Sequence, residues 1–200
     1  SLAATLWDEK GEVAKAEAYL NKGLELYPEN VQLNFFLGTI FDRKGQKDKL
    51  IEQMRKVIKM DPQHVQGLNY LAFTFAEQGD NLDEAEDLAQ RAMELEPKDG
   101  FILDTYGWIL FKQGQWSEAI PYLESAHKYQ PKESVIAEHL GDAYFKGQMM
   151  EKARAMYERA LAQAESKGRA RDIQQKMSAL DIQYKVRADN RQPASVEGEV

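Results

Sequence analysis

Residues 100–133 read GFILDTYGWILFKQGQWSEAIPYLESAHKYQPKE, and this stretch decides the fold. Leu103, Tyr106, Gly107 and Leu110 recur at helical spacing and give one apolar stripe; Ala119, Leu123 and Ala126 give another after the turn Lys112-Gln113-Gly114-Gln115. Gln130-Pro131 then closes the unit, since proline lacks the N–H that a helix interior needs. The unit is a pair of amphipathic helices, and the rest of the chain repeats it.

Working outward, the turn glycines Gly11, Gly45, Gly79 and Gly114 are separated by 34, 34 and 35 residues, and the closing prolines Pro28, Pro62, Pro97 and Pro131 by 34, 35 and 34. The first helices carry Leu37, Leu71, Tyr106 and Leu140, each followed by a small residue, Gly38, Ala72, Gly107 and Gly141, and three positions later by Phe41, Phe75, Leu110 and Tyr144. Ala16, Leu50, Ala85, Ala119 and Ala153 open the second helices. A small residue lets two helices approach closely, the large residue one turn later fills the space between them, and glycine in the turn adopts backbone conformations that a Cβ resists. Several columns with one period are the signature of stacked repeats, each too small to bury its own apolar face.

This pattern resembles the tetratricopeptide repeat, a helix-turn-helix unit of 34 residues. The resemblance implies an all-α fold: a right-handed superhelical solenoid of antiparallel helix pairs. The repeats fall at 1–30 (truncated), 31–64, 65–99, 100–133 and 134–165, so the array covers 1–165. The third repeat has one extra residue in GDNLDEA, which lengthens that turn without shifting the stacking; the fifth ends in Ala164-Glu165-Ser166 without a proline. Ile173, Met177, Leu180 and Tyr184 form one apolar stripe, so 168–185 reads as a helix capping the last open face. Residues 186–200 have no such periodicity and read as a mobile tail. The third and fourth repeats together are similar to a bacterial subgroup of adaptors and scaffolds that includes outer-membrane lipoproteins. That likeness leaves the compartment open between the envelope and the cytoplasm. The chain begins at Ser1 inside a repeat and reads as a fragment whose targeting region lies elsewhere.

Composition narrows the function. With 43% hydrophobic and 30% charged residues the chain folds and is well solvated, and a net charge of -7 argues against nucleic acid as a ligand. There is no cysteine, hence no disulfide and no thiolate chemistry. No apolar run approaches the length of a membrane span; Phe101 to Phe111 is interrupted by Asp104. His64, His127 and His139 lack the spacing of a metal site or a triad, and Asp83, Glu84, Glu86 and Asp87 open a helix whose dipole they complement. No cofactor, metal or catalytic residue is expected, and the chain reads as a non-enzyme.

In the family it resembles, the first helices of successive pairs line a concave face that holds ligands. The matched positions here are Phe35, Thr39 and Asp42 in the second repeat, Asn69, Phe73 and Glu77 in the third, Phe101, Asp104, Trp108, Phe111 and Lys112 in the fourth, and Glu138, Asp142 and Phe145 in the fifth. Members that hold acidic chaperone C-termini use a Lys/Asn/Arg clamp at these places. Only Asn69 would serve here, which argues against chaperone tails. The resemblance thus implies an aromatic, acidic groove for a protein or peptide with apolar anchors and basic neighbours, in an adaptor that assembles a bacterial complex. About half of the rings should be open to a ligand, with Trp108 and Phe73 foremost. The alternative is a self-associating structural solenoid without a peptide ligand.

Overall fold

The computed structural model describes the backbone of residues 12–191 and the side chains of residues 12–185. Ten helices follow one another among these residues: α1 Val13–Leu26, α2 Val31–Arg43, α3 Lys47–Met60, α4 Val65–Gln78, α5 Leu82–Leu95, α6 Gly100–Lys112, α7 Trp116–Tyr129, α8 Ser134–Lys146, α9 Met150–Ala162 and α10 Lys167–Arg191. The pairs α2–α3, α4–α5, α6–α7 and α8–α9 are the four repeats expected from residue 31 onward. α1 is the second helix of the truncated first repeat, and the Gly11 turn lies outside the described residues. The helices stack as a solenoid, each pair packing on the next.

The columns act as their chemistry requires. Leu50, Ala85, Ala119 and Ala153 are fully buried where the second helix of each pair meets the first, and Ala16 of α1 is fully buried in a cluster with Leu37 and Ile40 of α2. A Cβ placed on Gly107 would lie 2.8 Å from Leu123 Cγ, so α6 and α7 approach each other only because that position is bare. Phe75, Leu110 and Tyr144 fill the gap one turn later, while Phe41 in the second repeat remains half-buried. The extra residue of the third repeat is absorbed in the turn, where Gly79 and Asn81 are both left-handed (φ 68° and 49°), and Ala85 keeps its fully buried place.

Three of the four first helices have a side-chain cap, and α8, whose N-cap is Glu133, has none. Asn30 Oδ1 takes the Leu33 N–H, Asp99 Oδ1 takes those of Phe101 and Ile102, and His64 Nδ1 takes that of Gly67. The second helices have no side-chain cap. α7 begins at Trp116 with Gln115 as its N-cap. Pro121 is therefore the sixth helical residue and leaves the Ser117 carbonyl without its usual donor.

α10 packs on the last pair through Ile173 and Leu180, both fully buried, with Met177 alongside. Tyr184 is half-exposed and donates its hydroxyl to Glu151 at 3.0 Å. The helix continues through Arg191, six residues past the boundary set from the apolar stripe, so 186–191 is helical rather than tail. Residues 192–200 lie outside the described part.

Candidate functional site

The first helices α2, α4, α6 and α8 present their matched positions along one face, with α10 following α8. Between α4, α6 and the start of α8 lies a hollow of about 290 Å³. Tyr70, Phe73, Phe101, Val135 and Ile136 form its apolar walls, and Asn69, Asp42, Glu77, Asp104 and Glu133 its acceptors. Phe101 is 46% exposed and stands at its edge; Phe73 is half-buried. The structure thus brings Asn69, Phe73, Phe101 and Asp104 to one place. Phe35 lies further along, its ring 6.2 Å from that of Tyr70 and 5.1 Å from that of His64.

Trp108 differs from expectation: it is only 7% exposed. Its indole is stacked between His139, 3.9 Å away at 7° between planes, and Phe111, 4.7 Å away at 6°. Its Nε1–H donates to Glu77 Oε1 at 2.8 Å, and Lys112 Nζ sits 5.1 Å from the ring centroid. Both faces and the polar edge are already in use, so the ring joins α6 to α4 and α8 instead of standing open. The same holds for Asp104, 4% exposed, which accepts from His139 Nδ1 with both oxygens at 3.0 Å.

The acidic positions form a ladder in which each first helix passes a carboxylate to the next. Asp42 of α2 takes the Tyr70 hydroxyl of α4 at 2.7 Å and pairs with Lys47. Glu77 of α4 takes Trp108 of α6, and Asp104 of α6 takes His139 of α8. Glu138 of α8 pairs with Arg169 at 2.8 Å and Lys176 at 2.6 Å, both from α10, and Asp142 takes Lys176 at 2.6 Å and the Tyr157 hydroxyl at 2.7 Å. Burial works to raise the Glu138 pKa, but the Lys176 bond and the charges of Lys176 and Arg169 outweigh it and hold the group below its ordinary value. Burial likewise opposes the charge of Lys176, and the two carboxylates reverse that and push its pKa up. Burial, then Asp142, raises the pKa of Tyr157.

The ladder divides the face in two. Around Glu138, Asp142 and half-buried Phe145, the cations of α10 pair with the acids, and a second hollow of about 610 Å³ lies between α4, α6, α8 and α10 with Glu138, Arg169 and Lys176 on its wall. Around Glu77 and Asp104 the partners are an indole and an imidazole, and Glu133 adds a further carboxylate at the hollow. Arg169 and Lys176 escaped the sequence reading. Both border the apolar stripe of α10 seven residues apart, and that spacing was the available signal.

The remaining histidines have structural surroundings: His64 caps α4, and His127 accepts from Arg159 at 3.0 Å. Burial, then the Arg159 charge, lowers the His127 pKa. Among the described residues no three His, Asp or Glu side chains gather as a metal site, and no helix is long and apolar enough to cross a membrane.

A family model described as tetratricopeptide repeat matches residues 110–177, and a second of the same description matches residues 31–64. The TPR repeat-containing protein PA4667 of Pseudomonas aeruginosa is 31% identical over 128 residues, which is 64% of this chain and 22% of that protein. This chain therefore spans about a fifth of that relative's length. Among solved structures, the TPR protein TTC0263 of Thermus thermophilus superposes with a TM-score of 0.71 at 16% identity, over 90% of this chain and 96% of that one. The pilF protein of Pseudomonas aeruginosa gives 0.71 at 18%, over 98% and 91%. MamA from Desulfovibrio magneticus RS-1 gives 0.68 at 15%, over 82% and 93%. At these identities the structural likeness carries the fold.

Proposed function

The chain belongs to the tetratricopeptide repeat proteins, and from that premise we propose that it is an adaptor whose concave face holds a segment of a partner protein during assembly of a bacterial complex. Proteins of this fold are in general non-catalytic scaffolds for protein–protein interaction. The observation that carries the reading is the hollow beside Phe73 and Phe101. It is apolar-walled, open at Phe101, and bordered by Asn69, whose buried Oδ1 has no hydrogen-bond partner. Apolar anchors seated among a few polar groups are how protein grooves gain both affinity and orientation. The partner segment lies across α4, α6 and the start of α8, away from the end that α10 covers, with Phe73, Phe101 and Asn69 as its main contacts. Phe35 extends the same surface toward α2, and Lys112 marks its boundary near Trp108.

The test is affinity capture from the source cell with the wild-type chain and with Phe101→Ala and Asn69→Ala, each checked for an unchanged melting curve. Loss of the same retained protein in both variants is expected, at about 2 kcal/mol or more for a true anchor. Equal retention by folded variants removes the groove from the function. Light scattering across concentration separates an external partner, with a constant monomer mass, from self-association, with a mass that grows.

A further inference from the structure

Resting on the groove reading above, we propose that the hollow between α4, α6 and α8 is a pocket for a basic side chain of the partner, a lysine or arginine whose methylene stem lies along the aromatic wall.

The first ground is the balance of donors and acceptors. The hydroxyls and ring N–H groups around the hollow already donate within the chain. Thr74 Oγ1 donates to the Tyr70 carbonyl, Thr105 Oγ1 to the Phe101 carbonyl, and the Tyr70 hydroxyl to Asp42. Trp108, beneath Glu77, donates to that carboxylate. What remains at the hollow is mostly acceptor capacity: a carboxylate has room for more donors than the single one that Glu77 receives, and Glu133 adds another, against the Asn69 amide, which offers donors as well as an acceptor. A neutral apolar side chain would leave these carboxylates unmatched, and a carboxylate would add further acceptors.

The second ground is charge. Asp42, Glu77, Asp104 and Glu133 line the hollow against one ammonium, Lys47, which is already paired with Asp42. The partners of Glu77 and Asp104 are an indole and an imidazole, whereas the two carboxylates at the α10 end have Arg169 and Lys176. The negative potential is therefore concentrated at this hollow and cancelled at the other end. The third ground is shape: apolar walls of Phe73, Phe101 and Val135 with acceptors among them suit a side chain that is apolar along its stem and charged only at its tip. Residues 192–200 contain Glu197 and Glu199 and no lysine or arginine, so they cannot supply the basic side chain.

The test pans a linear random-peptide phage library against the immobilised chain and measures a fluorescein-labelled winner by anisotropy. The winners should contain Lys or Arg beside an apolar residue. Replacing that Lys by Nε-acetyl-lysine, which keeps the stem and removes the charge, should weaken binding by about thirtyfold. Glu77→Gln keeps an acceptor for Trp108 and removes a charge, so it should weaken the same peptide while leaving the melting curve unchanged. Winners without basic residues, or a tolerated acetyl-lysine in a peptide still lost with Phe101→Ala, overturn the basic pocket and leave the groove standing. Winners indifferent to both Phe101→Ala and Asn69→Ala, or no enrichment of any peptide, overturn the groove reading together with the pocket.

Discussion

Replacing Lys176 by methionine tests whether the junction of α10 with the solenoid is electrostatic as well as apolar. The substitution keeps a similar stem and deletes the ammonium that bridges Glu138 and Asp142. An exposed ion pair contributes about 0–1 kcal/mol, and stripping a partner from a fully buried charge costs about 3–5 kcal/mol. The Lys176 side chain is 34% exposed and its acceptors 12% and 13%, so the case falls between these limits. Arg169 still reaches Glu138 and Tyr157 still donates to Asp142, which moderates the loss to about 2 kcal/mol. The pH dependence has a definite sign. The folded-state pKa of Glu138 is depressed, so its contribution is complete above the ordinary glutamate value of about 4.3 and fades as pH falls through the lower folded value. Lys176 is raised, so its contribution is complete below the ordinary lysine value of about 10.4 and fades only as pH rises through the higher folded value. Urea unfolding followed by circular dichroism should show the difference on a plateau from about pH 5 to about pH 10, shrinking toward about pH 3. Because solenoids couple mainly to nearest neighbours, amide exchange should quicken in α10 and stay unchanged in α4 and α5. A loss under about 0.3 kcal/mol at neutral pH, or one that does not shrink on acidification, refutes the reasoning.

Trp108→Ala removes a ring stacked on both faces and a hydrogen bond to Glu77, so it should destabilise the chain by about 3–5 kcal/mol in a denaturant titration; a folded mutant of wild-type stability would return the indole to the ligand side. Gly107→Ala pushes a methyl to 2.8 Å from Leu123 Cγ and should cost about 1–3 kcal/mol despite the better helix propensity of alanine, read as a lowered melting temperature. Pro121→Ala restores the donor to the Ser117 carbonyl and should stabilise by about 1 kcal/mol or more in the same measurement.

The fold was legible because its determinants are local and periodic. Gly107, Leu123 and Gly114 sit at fixed offsets within one unit, and their packing follows from a single helix pair repeated. The site was less legible because its chemistry depends on pairs 28 to 35 residues apart: Asp42 with Tyr70, Glu77 with Trp108, Asp104 with His139. A stripe of acids and rings on one helix looks the same whether it faces solvent or the next helix. The register between consecutive first helices decides which, and no single helix encodes it. Trp108 shows the consequence: its position in the repeat matches the concave face, yet the imidazole of His139, one repeat on, covers it. Phe101 and Asn69 lie nearer the start of their helices, where α8 leaves room, and the hollow remains there.

The stack of Phe111, Trp108 and His139 also makes the groove wall optically addressable. Of the two tryptophans within the described residues, Trp116 is 39% exposed and Trp108 only 7%, so the first emits from a wet environment and the second from a dry one. Trp108 is hydrogen-bonded to a carboxylate that borders the hollow proposed for the partner. A charge arriving beside Glu77 changes the field along that indole, and the blue side of the emission band should register occupancy with no label attached to either protein.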